Sequence, residues 1–471
     1  MGGAGLNKQT GKRLRLAAIA AIAIIPSAAN ACSISSVDDL FAYKARTQAV
    51  LDVEAAMARA QAANGVIPHS AADEISEKAR VALVPQAAFD VEYAKVRHRM
   101  VALLNVWRES LGDEADQYVH FGATTVDIYG TATMMQIDSA IVEIDGCMAE
   151  SIAVMSRLAD DHKATPMIGR TLGQHAQPIT FGKKVSTWIG EYARHRDRLA
   201  ELRARVRRSA ILKGAVGNYS GLGDKAILVE RSFAEELGFD APYPADWNGT
   251  RDVIAEYGLV LGMIAKSHQR FGQEVFLLQG TDIGELSESL PGGTVGSSSM
   301  PHKRNPRVPE RLIHAGRTIP RLGEVLADDV VNFFERDNTS RLTPVIEEIS
   351  VESARALRNL NSLLDGLQVE AEQMRANIDR TRGFAMSQRV AFALAEHMPR
   401  ADAEALVKQV IAEALAADQG FAEALRSNPQ ARRYLGNDDI ARLLDPDAID
   451  PAAIEQVEST IAEAKLEGAQ P

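Results

Sequence analysis

The chain is short of the residues that build disulfide scaffolds, metal centres and sheet-rich cores. Its 471 residues include two cysteines, Cys32 and Cys147. That is too few for a disulfide framework or a thiolate-bound metal, and no Cys/His spacing resembles a zinc motif. Aromatic residues make up 5%, which with abundant Ala, Leu, Glu and Arg favours long helices over sheets. Positive charge is in deficit. The net charge of −11 argues against nucleic acid as a partner, because phosphate binding needs a basic surface. No glycine-rich phosphate cradle opens a helix.

One apolar run stands at the start, Leu16 to Ile25, after Lys8, Lys12, Arg13 and Arg15. About ten apolar residues are too few to span a bilayer, so no stable membrane span is expected. Pro26 ends the run, and small residues lead to Ala29-Asn30-Ala31 before Cys32. This order is that of a secretory signal peptide, which places residues 1–31 outside the folded protein and sends the rest to the periplasm or beyond. The competing reading is a misassigned start near Cys32 and a cytoplasmic protein. Lipidation of Cys32 is disfavoured, since Ala29-Asn30-Ala31 is a poor lipidation box.

Helical periodicity dominates what is present. Apolar residues recur at helical spacing over 38–64, 89–111, 128–160, 181–213, 252–286, 309–327 and 346–379, with shorter helices after 401. No run of alternating strands occurs. The expectation is an all-α fold in which helices of about 30 residues pack as a bundle, against partner subunits as well. The arginines from Arg194 to Arg208 crowd one face of their helix, a solvated or inter-subunit surface. Domain boundaries are expected at 32–123 (N-terminal helical), 124–375 (central bundle) and 376–471 (small C-terminal helical).

Three polar loops break the bundle, at 118–127, 169–178 and 291–306. The last reads Gly296-Ser-Ser-Ser-Met-Pro-His-Lys-Arg-Asn-Pro306, too rich in Gly, Ser and Pro to be helix. Thr124 or Thr125 can cap the helix that follows the first loop, whose free N–H groups favour an anion. Thr124, Thr125, Gln174, His175, Ser297, Lys303 and Asn305 together suit a small polyanion. With no metal set and no Ser-His-Asp order, the chemistry expected is proton transfer with electrostatic stabilisation, without a cofactor.

At these motifs the chain resembles the fumarase/aspartase superfamily. Gly296 to Pro306 is similar to its signature loop, His120-Phe-Gly-Ala-Thr-Thr-Val-Asp127 to its first motif, and Gly169 to Phe181 to its second. Arg97-His98, Arg251-Asp252 with Ala255-Glu256, Glu335-Arg336-Asp337 and Leu443-Leu444-Asp445-Pro446 resemble the branch holding adenylosuccinate lyase and bacterial 3-carboxy-cis,cis-muconate cycloisomerase. The resemblance covers essentially everything after residue 35. It implies an all-α homotetramer with each site pooled from three subunits. The reaction implied is removal of a proton beside a carboxylate, an aci-carboxylate intermediate, and loss or addition of a β-substituent on a small polycarboxylate. By position Ser297 matches the base, Lys303 and Asn305 the carboxylate clamp, Glu310 a glutamate paired with the general acid, and His98, His120, Thr124, Thr125, Gln174 and Arg251 substrate contacts.

Two positions depart from adenylosuccinate lyase. Leu172 stands where those enzymes carry a general-acid histidine, and Val345 where they carry an arginine for the nucleotide phosphate. A leucine cannot move a proton. His175, three residues on, can take that role, and the cycloisomerases likewise have a bulky apolar residue followed by histidine at this spacing. The tryptophan-rich pattern of the cycloisomerases is missing. The leading expectation is therefore a cycloisomerase-like lyase. The alternatives are a C–N lyase releasing fumarate from a succinyl-amine, and a catalytically inactive structural homologue.

Overall fold

The computed structural model describes residues 32, 34–245, 247–289, 296–297, 299–337, 339 and 342–467. The signal-like segment 1–31, positions 291–295 and Ser298 of the third loop lie outside the described residues.

The periodic stretches are helices. In chain order those that matter here are α1 (Tyr43–Ala63), α2 (Arg99–Arg108), α3 (Thr125–Asp161), α4 (Phe181–Val206), α5 (Asp252–Leu278), α6 (Val308–Asp328), α7 (Leu342–Asp365), α8 (Ala371–Asp379) and α9 (Pro451–Glu467). The longest, α3, buries Ile137, Ile141, Ile144, Met148, Ile152 and Met155 along one stripe, the spacing that the sequence shows. On α4 the buried stripe is Trp188, Tyr192, Leu199, Leu202 and Val206, and Thr180 Oγ1 caps its start by accepting the Lys183 N–H at 3.0 Å. The arginine-rich face of α4 is partly answered within the chain: Arg196 and Arg203 each donate to an aspartate of α3, Asp145 and Asp138. Helices α5 and α6 approach unusually closely. A Cβ placed on Gly323 would lie 2.5 Å from the Gly258 carbonyl oxygen, so a larger residue at this crossing would force the helices apart.

Among the described residues, packing is arranged in one large core with two satellites. The main cluster runs from Val37 and Leu51 through the stripes of α3–α7. A second cluster, including Val390, Leu406, Val410, Phe421, Leu425 and Ile440, forms the C-terminal lobe. The last helix leaves that lobe, and α9 returns Val457, Ile461 and Ala464 to the main core.

Several elements differ from the periodicity. The stretch 89–111 is two helices, Gln86–Val96 and α2, because Arg97 turns left-handed at φ 58°. The stretch 346–379 is broken at Gly366 into α7, a short strand β4 (Leu367–Val369) and α8. The second polar loop is a hairpin of β1 (Pro166–Thr171) and β2 (Gln174–Thr180), and β4 pairs antiparallel with β3 (Leu286–Glu288). These two small ladders leave the all-α class intact. The cysteines, set aside by composition, are paired: Cys32 is bonded to Cys147 across 115 residues, with Cα atoms 4.6 Å apart. Among the described residues, no helix is long and apolar enough to cross a membrane.

Candidate active site

The first loop is held by two buried carboxylates. Asp127, fully buried, accepts the Thr124 N–H at 3.1 Å and the N–H groups of Lys213 and Gly214 at 3.2 and 2.9 Å. It thereby ties the start of α3 to the glycine-rich segment at 214–223. Thr124 is the N-cap and Thr125 the first helical residue, so both face the positive end of the helix dipole. Glu54, buried on α1, accepts the backbone N–H of His120 at 3.2 Å and its Nδ1–H at 2.7 Å. His120 itself sits at φ 60°, a strained conformation that these two bonds compensate. Burial pulls the imidazole down, while the bond and charge of Glu54 and the charge of Asp127 outweigh it and leave its pKa above the ordinary value. A ring whose protonated form is favoured, four residues before the Thr124 cap of a helix, suits a carboxylate. His98 caps α2, its Nδ1 accepting the Val101 N–H at 3.3 Å, and stays exposed.

The second motif projects at the hairpin tip. Leu172 and Gly173 have φ of 53° and 77°, the two left-handed residues of a tight two-residue turn. Leu172 is fully solvent-exposed in the single chain, at 101%. Gln174 begins β2, and His175 pairs across the ladder with Arg170. Arg170 in turn grips the fully buried Glu285 with both nitrogens, at 2.9 and 2.7 Å. His175 borders a cavity of about 650 Å³ together with Arg380, Arg382, Phe384 and Asp418. Its pKa is lowered by burial and by Arg170 and Arg380, with Glu285 opposing.

In the third loop, the Ser297 hydroxyl accepts the Met300 N–H at 3.2 Å. The Lys303 N–H bonds the Met300 carbonyl at 3.0 Å, and the Asn305 amide donates to the Gly296 carbonyl at 3.3 Å, closing the loop on itself. The Lys303 side chain is exposed. Glu310 lies in the first turn of α6, beside His314, in a separate groove lined also by Arg270, Glu274 and Arg317. Arg251 is buried, bonding the Asn248 carbonyl at 3.2 Å and lying 3.9 Å from Asp337. Within one chain, therefore, His175 and Glu310 border different cavities. No sequence signal marks Glu54 or Glu285, whose partners lie 66 and 115 residues along the chain.

Residues 34–320 match the lyase family, and residues 383–460 the adenylosuccinate lyase C-terminus. The chain belongs to the fumarase/aspartase lyases. Among curated relatives of this lyase, the 3-carboxy-cis,cis-muconate cycloisomerase of Pseudomonas aeruginosa is 34% identical over 92% of this chain and 95% of its own. The adenylosuccinate lyase of Methanocaldococcus jannaschii is 32% identical over 89% of this chain and 92% of its own. Among solved structures, the 3-carboxy-cis,cis-muconate lactonizing enzyme of Pseudomonas putida superposes with a TM-score of 0.82 at 31% identity, covering 92% of this chain and 98% of that one.

Proposed function

We propose that this lyase interconverts a 3-carboxymuconate-type polycarboxylate and its lactone, as a homotetramer with pooled sites in an oxidising compartment. The observation that carries the substrate reading is the hairpin. Its tip holds Leu172, which cannot transfer a proton, and His175 stands three residues on at a cavity lined by Arg380. That combination suits a cycloisomerase better than a purine-nucleotide lyase.

In the elimination direction, Ser297, as an alkoxide, takes the proton beside a carboxylate. The electron pair moves into that carboxylate, and the Lys303 ammonium and Asn305 amide hold the resulting dianion. Collapse of the dianion breaks the C–O bond to the β-carbon, and His175 supplies a proton where the leaving oxygen needs one. Lactone formation reverses these steps. A serine hydroxyl is too weak an acid for this role in water, so closure of the site must favour the alkoxide. His120 with Thr124 and Thr125 binds a further carboxylate; His98, Gln174 and Arg251 complete the substrate contacts, and Glu310 of a neighbouring subunit orients His175.

Self-association is supported by apolar side chains left exposed on the bundle helices, among them Val142, Leu259, Met263, Leu277 and Val325, and by Leu172. The Cys32–Cys147 pair supports export, since such bonds persist outside the reducing cytosol. N-terminal sequencing of the native protein tests that point, with a mature chain beginning at or near Cys32 expected. Incubation with 3-carboxy-cis,cis-muconate should bleach its conjugated-diene absorbance. Release of fumarate from adenylosuccinate or another succinyl-amine instead would establish C–N lyase activity. Inertness toward all of them in an intact tetramer would favour the inactive homologue.

A further inference from the structure

Two glutamates bracket the three-residue strand β3, and each carboxylate leaves the strand to hold a different element. Glu285, just before it, is fully buried. Besides the two bonds from Arg170, its Oε1 accepts the Asn377 amide of α8 at 2.8 Å. Arg170 is the direct cross-strand partner of His175, so this carboxylate fixes the hairpin to the body at the level of His175, beside the packing of Ile168 against Ile378 and Met386. Glu288, at the other end and 9% exposed, caps α6. Its Oε1 accepts the Arg307 N–H at 2.5 Å and its Oε2 the Val308 N–H at 3.1 Å. The chain between Glu288 and Arg307 carries Ser297, Lys303 and Asn305, so this carboxylate ties the end of β3 to the helix start that directly follows Pro306. The strand is itself fixed by β4, and the Ser289 N–H bonds the Gly366 carbonyl at 3.1 Å. Glu285 lies within electrostatic reach of His175, and a buried charge is costly unless it is paired and hydrogen-bonded, as Glu285 is.

We infer that Glu285 and Glu288 are positioning residues, the first orienting His175 through Arg170 and the second setting the Ser297–Lys303 loop through the start of α6. The inference deepens the proposed function and rests on its assignment of Ser297 and His175. Each glutamate acts on its own element, which gives the pair separable signatures. Around His175 the charged groups are Arg170, Arg380 and Glu285, and Arg382 and Asp418, paired to each other at 2.6 Å, line the same cavity. Glu285 alone among the first three favours the protonated ring. Removing its charge therefore moves the loss of protonated His175 to lower pH.

The test uses full-length Glu285→Gln and Glu288→Gln tetramers beside Ser297→Ala, with 3-carboxy-cis,cis-muconate as substrate and trypsin as a probe of the exposed Lys303 and Arg304. Glu285→Gln should lower kcat by about ten- to a hundred-fold with KM little changed. It should also shift the alkaline limb of kcat/KM downward, and leave cleavage at Lys303 and Arg304 at the wild-type rate. Glu288→Gln should speed that cleavage several-fold and lower kcat with the alkaline limb in place. Should Glu285→Gln fail to fold, Arg170→Lys keeps the charge but loses the two-pronged grip, and the same fall in kcat is expected. Glu288→Asp serves likewise, its shorter carboxylate withdrawing from Val308. An unchanged limb and kcat for the Glu285 or Arg170 variant overturns the first assignment, and unchanged cleavage for both Glu288 variants overturns the second. If instead Ser297→Ala keeps full turnover, the proposed function is what fails, and trypsin cleavage still decides the role of Glu288.

Discussion

His175 and His268 both have pKa values below the ordinary histidine, with burial the leading cause in each, but their surroundings differ. His268 lies fully buried on α5, pushed down to about 3 by burial and then by His195, with neither ring nitrogen hydrogen-bonded. His195, its neighbour on α4, is pushed down to about 4 by burial first, and its Nε2 lies 2.8 Å from Ser267 Oγ. His175 stands on an exposed hairpin beside a cavity, and to the effect of burial are added the charges of Arg170 on β1 and Arg380 just after α8, opposed by Glu285 just before β3. A perturbed pKa therefore does not by itself mark a site. In the bundle interior it reports packing almost alone, whereas at the rim charges around open space add to the effect of burial.

Substitutions at the rim should separate from those in the interior, and the largest effect belongs to the loop. Ser297→Ala should cut turnover about ten-thousand-fold in a steady-state assay, with melting unchanged because the hydroxyl bonds only its own loop. His175→Asn should cost about a hundred- to a thousand-fold and flatten the alkaline limb of the pH profile. Glu54→Gln removes a charged hydrogen bond worth about 1.5–3 kcal/mol. It should raise KM at least about ten-fold and move the pH dependence of KM downward, because His120 loses the group that holds its pKa up.

The interior should respond in stability alone. Replacing Cys32 and Cys147 by serine should cost about 2–4 kcal/mol, read as a lower melting temperature in a non-reducing buffer, with kcat kept. The smallest effect is the acid response of the buried histidines. Unfolded, they bind protons near pH 6.5, and folded only near 4 and 3. Between those limits the unfolded state holds more protons, so stability falls as pH drops below about 6.5. His268→Leu should shallow that fall in denaturant titrations at pH 7 and 5 while leaving kcat untouched.

The long stripes of α3 and α4 were legible because 3.6-residue periodicity persists over many turns. The signature loop was legible because Gly, Ser and Pro exclude helix from Gly296 to Pro306. The hairpin was not. Its turn uses Leu172 in a left-handed conformation, where glycine or asparagine would have been the signal. Likewise the split at Arg97 has no glycine or proline to announce it. The glutamates that hold the site were invisible for another reason. Glu54 meets His120 across 66 residues, and Glu285 meets Arg170 across 115. Such pairings belong to the tertiary fold, and local composition carries no trace of them.

The bond between Cys32 and Cys147 also makes an early covalent closure of the chain possible. Cys147 lies near the middle of α3, so the covalent ring can close once that half of the helix has emerged, while α4 to α7 are still to come. The ring encloses α1, α2 and the loop bearing His120, Thr124 and Thr125. The amino-terminal third of the chain can thus be locked as a closed loop, and the later helices then dock against a segment whose topology is already decided.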